Sequence, residues 1–189
     1  MKKLALCIMS ALAVFCVNCL FAQQNQNSTG VIGSHYAARS FVAGTIPKAD
    51  LDQIVQAAVR APSARNSQPW HFTVVQNLAL AKKIVPQTLE GNVLIVVSAA
   101  GDGRTNGVEI LDCALAVQSI YLAAQALGHG SRIYTGPINE VNQKLKGELG
   151  LPGGHNAIAL VRIGRVDKSA DTVSGASPRK SADSVVTYK

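Results

Sequence analysis

Cysteine is almost absent from the part of the chain that can form a folded domain. Of the four cysteines, Cys7, Cys16 and Cys19 lie in an apolar N-terminal stretch, and only Cys113 follows them. A single cysteine cannot form an internal disulfide, so a small disulfide-stabilised scaffold is excluded. Stability must come from an apolar core, for which the rest of the 189-residue chain is long enough as one domain.

Clusters of basic residues are also lacking, although basic residues are in excess. The chain has 18 Lys and Arg against 11 Asp and Glu, with a formal net charge of +7. Nucleic-acid binding needs a basic patch or stripe, and this charge is spread along the chain. An anionic small ligand explains it at least as well. We therefore expect no nucleic-acid partner.

Metal-binding and phosphate-loop motifs are missing too. The histidines at positions 35, 71, 129 and 155 have neither ligand-like spacing nor acidic or cysteine partners in a metal motif. Gly101-Asp102-Gly103-Arg104 lacks the glycine pattern of a nucleotide-binding loop and is interpreted as a turn. We expect no metal site.

The first 22 residues have the features of a secretory signal peptide. Lys2 and Lys3 precede an apolar run of roughly 15 residues, and Ala22 is a small residue at the predicted cut. The run is shorter than the roughly 20 residues that span a bilayer, so no stable membrane span is expected. The prediction is an exported, periplasmic protein, and a lipoprotein modified at Cys19 is the alternative.

The remaining sequence divides into a short leader and one domain. Residues 23–33 are rich in Gln, Asn, Ser and Gly and predict a flexible leader. The domain is predicted over residues 34–189. Apolar residues at three-to-four spacing predict a helix from Pro47 to about Pro62, and a second, buried nearly all round, over about 108–127.

Strands are predicted where β-branched and apolar residues are continuous. Trp70 to Val75 and Val93 to Ala100 have this composition, and the second should be covered on both faces. Short helices are predicted around 80–85 and 138–149, and a strand over 157–166. Residues 185–188 predict a final strand after a polar arm, which would pair with a neighbouring subunit.

The most informative segment connects the first long helix to the first strand. It reads Ala61-Pro62-Ser63-Ala64-Arg65-Asn66-Ser67-Gln68-Pro69-Trp70-His71-Phe72. Two prolines fix the backbone around several side-chain donors and acceptors. From these residues alone, a connection whose polar groups satisfy their own backbone is as good an interpretation as a binding site.

This segment resembles the Pro-Ser-x-x-Asn-x-Gln-Pro-Trp-x-Phe element of the nitroreductase family. The order of later motifs supports the resemblance: Ala126 to Ser131, then Tyr134-Thr135-Gly136, then Pro178-Arg179-Lys180. It implies an α+β three-layer sandwich with a mostly antiparallel central sheet flanked by helices. It also implies a homodimer that exchanges C-terminal arms and binds FMN at the subunit interface.

The resemblance also implies which residues bind FMN. They are His35, Tyr36, Ala37 and Arg39; Pro62, Ser63, Ala64 and Asn66; Thr135 and Gly136; and Arg179. Relatives commonly have Arg-x-Ser-x-Arg or Lys where this chain has His35, Ala37 and Arg39, and many have lysine at the position of Ser177. Because a phosphate is bound best by charge-assisted hydrogen bonds, we expect weaker FMN binding than is usual in the family.

The implied activity needs no catalytic side chain, because flavin itself transfers the hydride and the protein binds and orients it. The expected function is a ping-pong oxidoreductase: a small-molecule donor such as NAD(P)H reduces FMN, and a nitroaromatic or quinone-like acceptor is then reduced. An exported flavin-binding or scavenging protein without turnover is the alternative, and a fold that no longer binds flavin is a third.

Overall fold

The computed structural model describes residues 27–101, 107–170 and 179–189. The predicted signal peptide, Cys19 and most of the turn at 101–104 lie outside them. The chain divides into two units, Met1–His35 and Tyr36–Lys189. In the first unit, Asn27–Ser34 forms helix α1, over part of the segment for which composition predicts a flexible leader.

The second unit is built on a five-stranded sheet. Its strands are β1 (Phe41–Val42), β2 (Trp70–Val75), β3 (Val93–Ala100), β4 (Gly130–Tyr134) and β5 (His155–Val166). Their order is β1-β5-β3-β2, with β4 also paired to β5, and every pairing is antiparallel. The long β5 can hold three neighbours because β3 lies along one side and β4 and β1 share the other in succession.

Helices cover both faces of the sheet. They are α2 (Lys48–Val59), α3 (Leu78–Ile84), α4 (Val108–Ala126) and α5 (Ile138–Glu140), which continues as a π-helical turn over Val141–Leu145. Ile95 and Val97 of β3 pack in one core with α2 and α4, and Leu94 and Val96 pack in a second core with α3 and the π-helical turn. The predicted two-faced burial of β3 and the α+β sandwich are confirmed.

The long helix α4 is not buried all round, contrary to the prediction. Cys113 and Ile120 are fully buried, but Leu111 is 66% exposed, and Val108 and Leu115 are also exposed. These three form the exposed apolar side of α4. By length and composition, α4 is the one helix of the described residues that could cross a membrane. In the single chain its apolar residues cover the sheet on one side and face outward on another.

The final strand is absent from the single chain. Among the described residues 179–189, Ala182–Ser184 forms a 3₁₀ turn and residues 185–188 have no strand pairing. Val185, Val186 and Tyr188 are exposed. A strand needs a partner for its backbone groups, and the final strand was expected to find that partner on a neighbouring subunit, so this pairing stays a prediction.

Candidate functional site

The proline-framed turn between α2 and β2 has an unusual backbone. Arg65 and Asn66 have φ of 55° and Gln68 has φ of 46°. Non-glycine residues rarely adopt this left-handed region, which costs about 1–2 kcal/mol per residue. Within the turn, the Ser63 hydroxyl oxygen accepts a hydrogen bond from the Gln68 N–H at 3.0 Å, and the Ser63 carbonyl accepts one from the Asn66 N–H at 3.1 Å. The turn thus satisfies part of its own backbone and exposes the rest.

The structure shows how the turn is tied to the core. Asp112, in the first turns of α4, is buried, and its carboxylate accepts the Ala64 N–H at 3.0 Å and the Ser67 hydroxyl at 3.3 Å. Ser63 is half-buried, while Pro62, Ala64 and Asn66 are exposed. Three of the predicted residues are therefore exposed and the fourth is half-buried, on a turn tied to a buried carboxylate that no sequence motif indicates.

A second clamp on α4 holds the segment before Arg39. The Gln125 side chain accepts the Tyr36 N–H at 3.2 Å and donates to the Tyr36 carbonyl at 3.0 Å and to the Ser131 hydroxyl at 2.9 Å. The Ser131 carbonyl accepts the Ala38 N–H at 3.0 Å. Gln125 was also not identified from the sequence, and it fixes the backbone of the predicted phosphate-binding segment.

Two residues of that segment are exposed to solvent. Ala38 is buried, whereas Ala37 and Arg39 on either side of it are exposed. His35 belongs to the first unit, where its Nδ1 is 2.7 Å from the Ile32 carbonyl oxygen. The structure therefore anchors Tyr36 and presents Ala37 and Arg39.

Arg179 lies near the same end of α4. Burial raises the pKa of Tyr121, while a hydrogen bond from Gln125 and the positive charge of Arg179 lower it, so Arg179 is close enough to act on this ring. The Tyr121 carbonyl accepts the Ser131 hydroxyl at 2.8 Å, which links this region to the Gln125 clamp. Arg179 itself is exposed. The structure thus brings Arg179 toward the clamped segment.

Thr135 and Gly136 follow β4 in an exposed turn. The Thr135 carbonyl accepts the Ile138 N–H at 3.2 Å, which starts α5. A Cβ added to Gly136 would meet no atom within 4 Å. The packing of this chain does not require glycine here, so the space beside Gly136 is open to a ligand.

The two clamps divide the predicted residues into two groups. With a rise of about 1.5 Å and about 100° per residue, Asp112 and Gln125 are about 20 Å apart along α4 and on different sides of it. The turn at Pro62 to Gln68 is tied at one end of the helix, and the segment at Tyr36 to Arg39 is tied at the other. A ligand that touches both groups cannot take both from one chain without spanning that distance.

Two histidines outside the predicted site have side-chain partners. His129 Nε2 lies 2.7 Å from Asp50 Oδ2, and His155 Nδ1 lies 3.4 Å from the Ser98 hydroxyl oxygen. No cluster of three or more His, Cys, Asp or Glu residues in the described ranges could hold a metal ion. Burial, followed by the charges of Asp112 and Glu109, raises the pKa of Cys113 to about 12, as for a core thiol.

The model of the Nitroreductase family matches residues 32–96 and 88–165. The chain belongs to the nitroreductase family. The match includes the proline-framed turn, both clamps and Gly136, and Arg179 lies beyond it. The family resemblance inferred from the turn and the later motifs is confirmed.

Individual relatives support the assignment. An Archaeoglobus fulgidus protein named as a candidate NADH dehydrogenase/NAD(P)H nitroreductase is 35% identical over 125 residues, which are 61% of this chain and 71% of that protein. A nitroreductase with bound FMN from Desulfitobacterium hafniense has a TM-score of 0.70 at 23% identity and covers 86% of this chain and 98% of its own. A candidate nitroreductase in complex with FMN from Desulfovibrio desulfuricans has a TM-score of 0.71 at 23% identity and covers 86% of this chain and 96% of its own. These two structures confirm the nitroreductase-like fold.

Proposed function

We propose that this nitroreductase-family chain is an FMN-dependent oxidoreductase that works as a homodimer. A small-molecule donor such as NAD(P)H reduces the flavin, and a nitroaromatic or quinone-like acceptor is reduced in a second step. Family membership, a relative named as an NAD(P)H nitroreductase and two similar folds with FMN support this proposal. The observation that carries it is the strained, exposed turn that a buried carboxylate holds in place.

The described residues fit FMN at both of its ends. The phosphate carries close to two negative charges and is stabilised by charge-assisted hydrogen bonds, which Arg39 and Arg179 can donate. The Gln125 clamp fixes the backbone on which Arg39 sits. At the other end, the turn exposes the Asn66 amide, and Gly136 leaves room for a flat ring to approach the backbone.

Two copies of the chain explain the separation of the two clamps. A flavin that contacts both groups would take Arg39 and Arg179 from one subunit and the turn with Pro62 to Asn66 from the other. The exposed apolar side of α4 offers the apolar centre that such an interface needs. The unpaired residues 185–188 would complete the exchange by pairing with the partner subunit.

The chain's own residues perform binding and orientation in this mechanism. FMN, when bound, supplies hydride acceptance and release. Arg39 and Arg179 would neutralise its phosphate, and the tethered turn would hold the ring against rotation. The backbone at Thr135 and Gly136 would donate to the ring edge. No side chain of the protein has to accept a proton from the substrate for the hydride to be transferred.

The test begins with the visible spectrum of the purified protein after addition of FMN, followed by anaerobic mixing with NADH or NADPH. If the protein binds FMN and the visible absorption of the bound flavin bleaches on mixing with the donor, the enzyme is supported. Arg39→Ala should weaken FMN binding by about 1.5–3 kcal/mol, because it removes a charged hydrogen bond. Lys83→Ala, an exposed cation paired with Glu148, is the matched control and should leave the affinity unchanged. An unchanged affinity for Arg39→Ala removes that residue from the site.

The dimer is tested at Leu111. Leu111→Glu places a charge on the exposed apolar side of α4 and should yield monomers by light scattering, with loss of FMN binding in the same samples. Leu89→Glu, the same substitution at an exposed leucine between α3 and β3 and outside α4, is the matched control and should leave the oligomeric state unchanged. A wild-type protein that is monomeric and still binds FMN would contradict the two-copy site.

A flavin-binding or scavenging protein without turnover is the second candidate. The absence of the family's usual cations at His35 and Ser177 favours it, because a phosphate site with fewer positive charges suits reversible binding. A yellow protein that does not bleach with any donor would support this candidate. A protein that ignores added FMN would refute both and leave a fold without flavin.

We also propose that the chain is exported to the periplasm after cleavage behind Ala22. The charged start, short apolar run and small residue support this proposal. Cell fractionation and N-terminal sequencing of the recovered protein would test it, with Gln23 expected as the first residue. Lipid labelling that disappears in Cys19→Ser would instead show the lipoprotein alternative.

A further inference from the structure

Asp112 is an anomaly in the helix that carries it. The α4 helix is otherwise strongly apolar, yet the Asp112 side chain is buried within the domain, with 3% of the residue exposed. Burying a carboxylate costs several kcal/mol unless hydrogen bonds compensate for lost water. Its hydrogen bonds come from Ala64 N–H and Ser67 O–H, and both donors belong to the turn. The carboxylate therefore serves the turn rather than the core.

The turn needs an external tether. Three of its residues have left-handed backbone conformations, which persist only where the surroundings over-determine them. The Ser63–Gln68 hydrogen bond is internal and moves with the turn. The bonds to Asp112, in contrast, fix the turn relative to a rigid core helix. Asn66 lies between the two tethered residues, so its position depends directly on both bonds.

We propose that Asp112 is a positioning residue that holds the turn from Pro62 to Gln68 in the conformation that binds the flavin. This inference rests on the proposed function. Asp112 acts through Ala64 and Ser67 and fixes where Asn66 meets the cofactor. Without the tether, the turn relaxes toward unstrained backbone conformations, and binding must then restore the strained one at the expense of affinity.

Two substitutions separate this role from a general contribution to folding. Asparagine at this position can accept from the Ala64 N–H and donate to the Ser67 hydroxyl, which is both donor and acceptor. Asp112→Asn therefore keeps both tethers without the charge, while Asp112→Ala removes both. Ser67→Ala removes one tether from an exposed position. Glu109→Ala, an exposed carboxylate one turn earlier on the same helix, is the matched control.

The experiment titrates each full-length variant with FMN and follows flavin fluorescence, the visible absorption bands of bound flavin, and thermal unfolding without flavin. Asp112→Ala should bind FMN about 10- to 100-fold more weakly, as for loss of hydrogen bonds to a charged group, with an altered visible band. Asp112→Asn should stay within about threefold of wild type. Ser67→Ala should bind FMN several-fold more weakly than wild type, with an unchanged unfolding temperature. The double variant that combines Ser67→Ala with Asp112→Ala should bind FMN no more weakly than Asp112→Ala alone.

Three other outcomes would contradict either this inference or the proposed function. If Asp112→Ala lowers the unfolding temperature but leaves the FMN affinity and the visible band of the folded protein unchanged, the residue is only structural and the inference is wrong. If Asp112→Ala does not fold, Ser67→Ala decides, and an unchanged affinity overturns the inference. A wild-type protein that fails to bind FMN refutes the proposed function itself, which is recognised before any variant is compared.

Discussion

The buried thiol of Cys113 predicts a loss of stability at alkaline pH. Burial raises its pKa most, and the negative charges of Asp112 and Glu109 raise it further, from 9.0 to about 12. Between these values the unfolded chain releases the thiol proton while the folded chain retains it. The free energy of unfolding therefore falls as pH rises above 9, by at most about 1.4 kcal/mol per pH unit. At pH 10 the expected loss is about 1.4 kcal/mol.

The assay compares wild type with Cys113→Ala by urea unfolding under reducing conditions at pH 7 and pH 10. Other groups that titrate in this range, such as Tyr121, are present in both proteins and cancel in the comparison. The stability of wild type relative to the variant should drop by about 1.4 kcal/mol between the two pH values. The cavity left by alanine lowers stability equally at both. If the stability difference between wild type and Cys113→Ala is the same at pH 7 and pH 10, the raised pKa of Cys113 is refuted.

Three further substitutions test backbone strain and the buried cation, each by urea unfolding. Arg65→Gly should stabilise the protein by up to about 1 kcal/mol, because the Arg65 φ of 55° suits glycine. Arg60→Gly is the control and should destabilise the protein by about 0.5–1 kcal/mol, because the Arg60 φ of −84° suits any residue. A loss of stability in both variants would contradict backbone strain at Arg65. Asn92→Ala should cost about 3 kcal/mol because it removes the amide oxygen that accepts two bonds from the buried guanidinium of Arg162, and Arg162→Met in the same chain should recover part of it. Gly91→Ala should cost more than about 2 kcal/mol, since φ is +78° and a Cβ would come within 2.4 Å of a neighbouring backbone carbon; a neutral effect would contradict the close approach.

Local patterns predicted the elements whose burial is continuous. The strands β2 and β3 were located to the residue, α4 to within one residue at either end, and α2 to within one residue at its start and three at its end. Long apolar runs and three-to-four spacing mark such elements directly. The outer faces of the helices were harder to predict, because the sequence of α4 does not distinguish apolar residues that contact the sheet from those that face outward.

Strands made by long-range pairing were missed. Gly130–Tyr134 contains Gly, Ser and Arg and has no strand signature, yet it forms β4 because β5 offers a free edge beside it. The two residues of β1 are likewise defined by their pairing with β5. A helix was predicted over residues 138–149, but it becomes a π-helical turn where Asn142 binds the backbone of Ala157 at both its N–H and its carbonyl. Such contacts have no local signal.

The sequence predicted the exposed residues of the candidate site but not the two residues of α4 that hold them in place. The turn was recognised from a motif, and the structure then showed that its strain is held by Asp112, whose partner Ala64 is 48 positions away. Gln125 clamps Tyr36 across 89 positions. Both supports are single polar residues in an apolar helix. That contrast was the available signal, because a buried polar group without a local partner must find one elsewhere.

The position of Asp112 on α4 links two properties of the proposed enzyme. Leu111, beside it in sequence, and Leu115, one turn later, belong to the exposed apolar side of the helix that is proposed to meet a second copy. Because a helix is rigid over such a short distance, a contact that orders Leu111 and Leu115 also orders the tether of the turn. Dimerisation should then tighten flavin binding. By thermodynamic reciprocity, FMN must tighten the dimer by the same factor, so a dimer dissociation constant that is unchanged by saturating FMN would contradict a flavin site shared between two copies.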